Sequence, residues 1–174
     1  MRVTRVTHAG GQQSRRWFAP ASRLALVLWV LLLASPSAWA YKQGDTVDPA
    51  ILEKLALDPE KISVVDFFAS WCVSCRKELP LLNAMTLDAD TVELVGVSTD
   101  EELEQGLAFQ QALDLRFRVY NDTAQEVVAA FAPIGMPALY YVQHGKVLGV
   151  HLGAVAKIDR VVTEDIARIQ RQQP

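Results

Sequence analysis

The chain has 174 residues, with 17 basic and 20 acidic side chains and a formal charge of −3. These charges are segregated: residues 1–40 hold five arginines and no acid, so the remaining 134 residues set twelve basic groups against 20 acidic ones, a formal −8. That balance argues against a nucleic-acid-binding surface, and 134 residues suit one domain with one core, without repeat, low-complexity tract or linker.

The amino-terminal segment reads as an export signal. Its arginines precede the apolar stretch Leu24 to Ala34, and Ala38-Trp39-Ala40 supplies a small-residue cleavage site. Eleven apolar residues fall short of the roughly twenty that span a bilayer, so cleavage after Ala40 is expected, with an uncleaved membrane anchor as the rival. Ser14-Arg15-Arg16-Trp17-Phe18 is similar to a twin-arginine motif, the alternative being an ordinary basic leader. Beyond it, Tyr41 to Val47 is expected to be a mobile lead-in and Pro49 to Leu57 a short helix.

The apolar run Ile62 to Phe68 is the first long central strand, and it gives way to a helix-like segment carrying Cys72-Val73-Ser74-Cys75, the two cysteines of the chain. At i and i+3 in the first turn of a helix, two thiols can close a small disulfide and reopen it. Unpaired N–H groups at the helix start stabilise the thiolate form of the first sulfur, and Arg76 and Lys77 add positive charge. A purely structural bridge is the competing reading, although so short a loop restrains the unfolded chain little. Half of a metal site is another, but zinc needs about four ligands and only His144 and His151 remain outside the leader. Haem attachment is excluded because Arg76 stands where that motif needs His.

Further along, Val92 to Val97 reads as a buried strand, Glu101 to Leu113 as an amphipathic helix, Phe117 to Tyr120 as a short strand, and Asp122 to Phe131 as a helix with an Asp/Thr start. Leu139 to Val142 and Val147 to Leu152 form a hairpin about the turn Gln143-His144-Gly145-Lys146. The last helix is expected over Ala156 to Arg171.

The segment Val65-Asp66-Phe67-Phe68-Ala69-Ser70-Trp71-Cys72-Val73-Ser74-Cys75-Arg76-Lys77 resembles the active-site strand and helix of the thioredoxin family. The likeness includes a lone acid in an apolar strand, Trp directly before the first Cys, and Pro80 where the family kinks its helix. Ile134-Gly135-Met136-Pro137-Ala138 resembles the cis-proline loop that lies against the family's disulfide. The additional strand and helix between these signals resemble those of the TlpA/ResA/DsbE-like extracytoplasmic branch. This resemblance covers about Asp45 to Gln170 and implies a thioredoxin-like α/β fold, a central mixed β-sheet flanked by helices with the strand-helix insertion of that branch.

It also implies roles. Cys72 is the attacking thiolate, Cys75 the thiol that resolves the mixed disulfide, and Asp66 the acceptor of the Cys75 proton, its pKa raised by burial. The competing reading of Asp66 is a carboxylate satisfied by backbone N–H groups. Thioredoxins place a Lys near this acid from a neighbouring strand, and the strand candidates after Asp66 contain none. Many members of the extracytoplasmic branch carry their acid inside the Cys-x-x-Cys loop instead. Trp71, Met136 and Pro137 are expected to line a substrate groove, against readings of Trp71 as a core aromatic and Met136 as a gap-filler. His144 is expected in solvent and His151 at the core edge, neither as a metal ligand, and no cofactor is expected.

Val73-Ser74 is neither the Gly-Pro of reducing thioredoxins nor the Pro-His of strongly oxidising relatives, and is closer to the Val-Ala of the carboxy-terminal domain of the DsbD transporter. The expectation is therefore a periplasmic reductase of protein disulfides, acting on clients with disulfides or Cys-x-x-Cys pairs and recharged by a DsbD-like membrane thiol donor. A dithiol oxidase and a copper-carrying assembly protein stay open. A peroxidase would need Pro-x-x-x-Thr/Ser-x-x-Cys, and the residues before Cys72 do not fit that pattern.

Overall fold

Strand β1 (Ile62–Phe68) is buried at every position, because helices cover both of its faces. The structure, a computed structural model, describes residues 40–172. The expected leader, residues 1–40, lies outside the described residues except for Ala40. In chain order the elements are α1 (Pro49–Leu55), β1, α2 (Val73–Asn83), β2 (Val92–Ser98), α3 (Leu103–Ala112), β3 (Arg118–Asn121), α4 (Glu126–Phe131), β4 (Ala138–Gln143), β5 (Lys146–Leu152) and α5 (Ile158–Gln172). They form a mixed five-stranded sheet of order β3-β2-β1-β4-β5, in which β1, β2 and β3 run parallel to one another, β4 runs antiparallel to β1, and β5 antiparallel to β4. Among the described residues, no helix is long and apolar enough to cross a membrane.

Alternation along β1 divides the core. Val65 and Phe67 pack with Ile51 and Leu55 of α1, Val127 and Phe131 of α4, and Tyr140 of β4; the rings of Phe67, Phe131 and Tyr140 lie 4.9–5.6 Å apart. On the opposite face Ile62 and Val64 meet Leu82 of α2 and the α5 stripe Ile158, Val162, Ile166 and Ile169, whose spacing is that of an amphipathic helix. Phe68, on this same face, packs with Cys72, Cys75, Leu79 and Phe109. Gly96 of β2 admits the Phe68 ring: a Cβ there would stand 2.8 Å from Phe68 Cε1.

Tyr41 to Val47, expected to be mobile, is instead tied down. Tyr41 N–H donates to Phe131, Gly44 N–H to Val147 and Val47 N–H to Gly145, Thr46 forms a bridge with Lys146, and Val47 is fully buried. Exposed edges of β5 offer unpaired backbone groups, which this segment satisfies. The expected helix from Glu101 starts at Leu103, with the chain before it extended at Glu102. The one expected from Asp122 starts at Glu126, because Gln125 takes a left-handed conformation; Asp122 still serves it, accepting from Glu126 and Val128 N–H at 3.1 and 2.7 Å. Helix α1 stops at Leu55, where Ala56 turns left-handed.

Candidate active site

Cys72 occupies the cap position of α2, and its Sγ accepts the Cys75 N–H at 3.1 Å. The two sulfurs are bonded at 2.00 Å, with Cα atoms 5.3 Å apart. Cys75 is wholly buried and Cys72 nearly so, which leaves Cys72 as the outer sulfur. First-turn N–H groups have no partner within a helix, so their positive end faces whichever charge Cys72 carries when the bond opens.

Two clasps hold the loop before Cys72. The buried Asp100, just after β2, accepts from Ser70 N–H at 3.1 and 3.0 Å, from Ser70 Oγ at 2.6 Å and from Ser98 Oγ at 3.0 Å. Arg76 lies over the Phe109 ring at 4.6 Å and donates to the Ser70 carbonyl at 3.4 Å. Next to Asp100, the Thr99 hydroxyl lies 3.2 Å from the Phe68 carbonyl and 3.4 Å from Met136 Sδ. The end of β2 thereby joins the cysteine loop to the proline loop.

In that second loop the Met136-Pro137 peptide is cis. Pro137 is buried, and Met136 packs against the cluster that contains both cysteines, so it fills space and borders the disulfide at once. Trp71 is 68% exposed, Val73 71% and Ile134 84%. Trp71 is therefore a surface aromatic, not a core one.

Asp66 sits beneath α2 on the Phe68 face of β1, and is buried. Its Oδ1 has no hydrogen-bond partner among the described residues, which removes the reading of a carboxylate satisfied by backbone N–H groups. Burial, and next the charge of Glu78, hold its pKa well above the ordinary carboxylate range. Glu78 is a site residue that the sequence reading did not single out. It is buried on α2 with Cys75, Leu79 and Leu82; its pKa is raised by burial, against the pull of the Val155 N–H, which its Oε2 accepts at 3.3 Å, and of His151. The available signal was its place three residues after Cys75, on the same helical face.

The two histidines fall as expected. His144 is in the hairpin turn with a 63% exposed side chain, and His151 is partly buried with Nε2 2.6 Å from Asp165 Oδ2. Among the described residues no group of three or more His, Cys, Asp or Glu is arranged to hold a metal ion. Strand β5 begins one residue earlier than expected, at Lys146, so it does contain a Lys. That Lys pairs with Gln143, at the opposite end of the sheet from the Asp66–Leu139 pair, and cannot stand beside the acid.

Residues 43–150 match the AhpC/TSA family, and the chain belongs to it. It is 28% identical over 141 residues to the thiol:disulfide interchange protein HelX of Rhodobacter capsulatus, covering 76% of this chain and 75% of HelX. It is also 28% identical over 87 residues to the thiol-disulfide oxidoreductase ResA of Bacillus thuringiensis subsp. konkukian, a match that spans half the length of that relative and 48% of this chain. Among solved structures it is similar to a proposed thiol:disulfide interchange protein DsbE of Chlorobium tepidum, with a TM-score of 0.64 at 23% identity over 75% of this chain and 98% of the other. StoA of Bacillus subtilis gives a TM-score of 0.55 at 21% identity over 63% and 84%. These two likenesses show the thioredoxin-like fold.

Proposed function

We propose, from membership of the AhpC/TSA family and from the site, that this protein is a thiol-disulfide oxidoreductase that works outside the cytoplasm and reduces disulfides of client proteins. The observation that carries the reading is a disulfide closed at a helix start, with the outer sulfur capping that helix and a buried carboxylate with an unpartnered oxygen in the strand beneath.

In the reduced protein the Cys72 thiolate attacks one sulfur of a client disulfide; the other client sulfur leaves as a thiolate and takes up a proton. Cys75 then gives its proton to the ionised carboxyl of Asp66, and the Cys75 thiolate attacks Cys72 Sγ. The Cys72–client bond breaks, the Cys72–Cys75 bond forms, and the second client sulfur leaves as a thiolate that takes up a proton, while Asp66 returns the proton it accepted to solvent. Two electrons have passed from the dithiol to the client. A membrane thiol donor of the DsbD type returns them, and the arginine-rich leader directs export to the periplasm. The exposed Trp71 and Val73 on either side of Cys72, and Ile134 of the proline loop, offer the apolar surface on which a client rests, with Met136 packed against the disulfide cluster and Pro137 next to it in the chain.

Turnover of insulin disulfides with a dithiol as electron source tests the reading. Cys72→Ser abolishes turnover, whereas Cys75→Ser still attacks and accumulates client-linked adducts on a non-reducing gel. First modification of Cys75 by a small alkylating agent at neutral pH would reverse the two roles. Peroxide consumption in place of insulin turnover would support a peroxidase instead.

A further inference from the structure

Val73, Lys77 and Leu81 recur every fourth residue along α2 and so share one face of it. All three are exposed. They line a groove of about 520 Å³ whose other wall is the loop from β5 to α5, with Ala154, Val155 and Lys157. The groove begins at the disulfide: Val73 follows Cys72 in the chain, and Ser74, also in the lining, has its Oγ 3.9 Å from Cys72 Sγ.

Two hydrogen bonds fix the far wall. Gly153 N–H donates to the Pro137 carbonyl at 2.8 Å, tying the wall to the proline loop, and Val155 N–H donates to Glu78 Oε2 at 3.3 Å, tying it to α2. Glu78 lines the groove but is buried, so the exposed charged residues of the lining are Lys77 and Lys157. Neither has an ion-pair partner among the described residues. Residues 41–174 carry a formal −8, which makes two unpaired cations beside the reactive sulfur an exception on an acidic molecule.

We propose that this groove receives the client segment flanking the attacked cysteine, and that Lys77 and Lys157 select segments with an acidic side chain there. Lys77 lies about 7 Å along the helix axis from Cys72, at 1.5 Å per residue, and two extended residues of a client span about the same distance. An acid two residues from the client cysteine therefore reaches the lysine while the sulfurs are joined. One exposed ion pair adds little to the stability of a fold, but specificity is a difference of affinities, and a few-fold difference decides which of two competing clients is held. This inference rests on the oxidoreductase reading and names the class of client, but its primary test does not depend on turnover.

The test is an exchange equilibrium on Cys72 of the Cys75→Ser protein, which holds a mixed disulfide. The probes are the peptide Ala-Glu-Ala-Cys-Ala-Glu-Ala and its counterparts with Gln or Lys in place of both Glu. They compete in pairs, and each ratio is divided by that of the same peptides exchanging with glutathione, which removes the effect of the neighbours on the peptide thiol itself. The Glu peptide is retained over the Gln peptide by about two- to fivefold for each lysine engaged, the strength of an exposed ion pair; the Lys peptide falls below Gln, and the spread narrows as salt is raised. Lys77→Gln and Lys157→Asn each reduce the preference and together abolish it, whereas Lys77→Arg keeps it. Asn suits position 157 because it tolerates the left-handed backbone found there, at φ 58°. Lys146→Gln, at the far end of β5, makes the same change in net charge and leaves the preference intact. A Glu-to-Gln ratio near one in the Cys75→Ser protein, a ratio that survives the double variant, or an equal loss in Lys146→Gln overturns the proposal. If the preference appears but the unaltered protein reduces no insulin disulfide, the functional reading falls and the groove's selectivity stands; if insulin is reduced and the ratio is one, the reverse holds.

Discussion

Asp66 and Asp100 are both buried acids near the dithiol, and their partners set them apart. Asp100 has four donor contacts; removing it strands the Ser70 N–H and two hydroxyls, each costing about 1–3 kcal/mol when left unpaired. Asp100→Ala should therefore lower stability by about 2–4 kcal/mol in urea unfolding, with Ser70 and Trp71 released from their fixed approach to Cys72. Asp66 is the reverse case. Its folded pKa lies above its unfolded one, so the folded state binds the extra proton; below the unfolded pKa near 3.9 there is no penalty, and stability falls as pH rises from there to the folded pKa. Asp66→Asn removes that fall, by about 1.4 kcal/mol for each unit between the two pKa values. The variant should match the parent in melts near pH 4 and exceed it at pH 8, while resolving mixed disulfides more slowly. A gap independent of pH would mean that the carboxyl is not the cause. Cys72, Cys75, Trp71, Pro137 and Asp66 are legible in the sequence because each belongs to a short contiguous pattern. Glu78 and Asp100 are not, since their significance comes from packing partners distant in sequence, Val155 for Glu78 and Ser70 for Asp100.

At the level of elements, the pattern of apolar residues foretells each strand and helix within a few residues, because the central strands are covered on both faces and read as unbroken apolar runs. The differences arise at ends that tertiary contacts decide. The helix expected from Glu101 starts at Leu103 because the chain is extended at Glu102, just after Asp100 is held to Ser70, and Asp122 caps α4 from four residues ahead of its start. Tyr41 to Val47 has little helical or strand pattern of its own, and its order comes from β5 and from Phe131. Helix α4 is only six residues long, too short to persist without packing, so its place in the fold rests on Val127 and Phe131 in the core. Phe131→Ala should cost about 3–5 kcal/mol by thermal or urea unfolding, and should also free the lead-in, since Tyr41 packs edge-on against that ring at 5.0 Å. Amide hydrogen exchange at Tyr41 and Gly44 should rise in the variant; unchanged protection there would show that β5 alone holds the segment.

For the molecule as a whole, the direction of electron flow depends on how the dithiol compares with its surroundings. The two sulfurs, the helix start and the buried acid serve an oxidant and a reductant equally well. What leans toward reduction is the combination of Val73-Ser74 between the cysteines, a thioredoxin-like acid at Asp66 and an export-type leader. A reductase in an oxidising compartment must hold its electrons at a low potential and be recharged from a donor. The Cys72/Cys75 couple should accordingly lie nearer thioredoxin's value of about −270 mV than the roughly −120 mV of the strong periplasmic oxidant. For a two-electron couple about 30 mV is worth about 1.4 kcal/mol, a tenfold change in equilibrium constant. The interval between those two poises therefore spans several powers of ten, and equilibration with a glutathione or dithiothreitol buffer separates them without ambiguity. In living cells the pair should be found mostly reduced while a membrane thiol donor is present and oxidised once that donor is deleted, as read by alkylation and gel shift. A potential above roughly −150 mV, or a fully oxidised pair in donor-competent cells, would assign the same residues to a dithiol oxidase running the exchange in reverse.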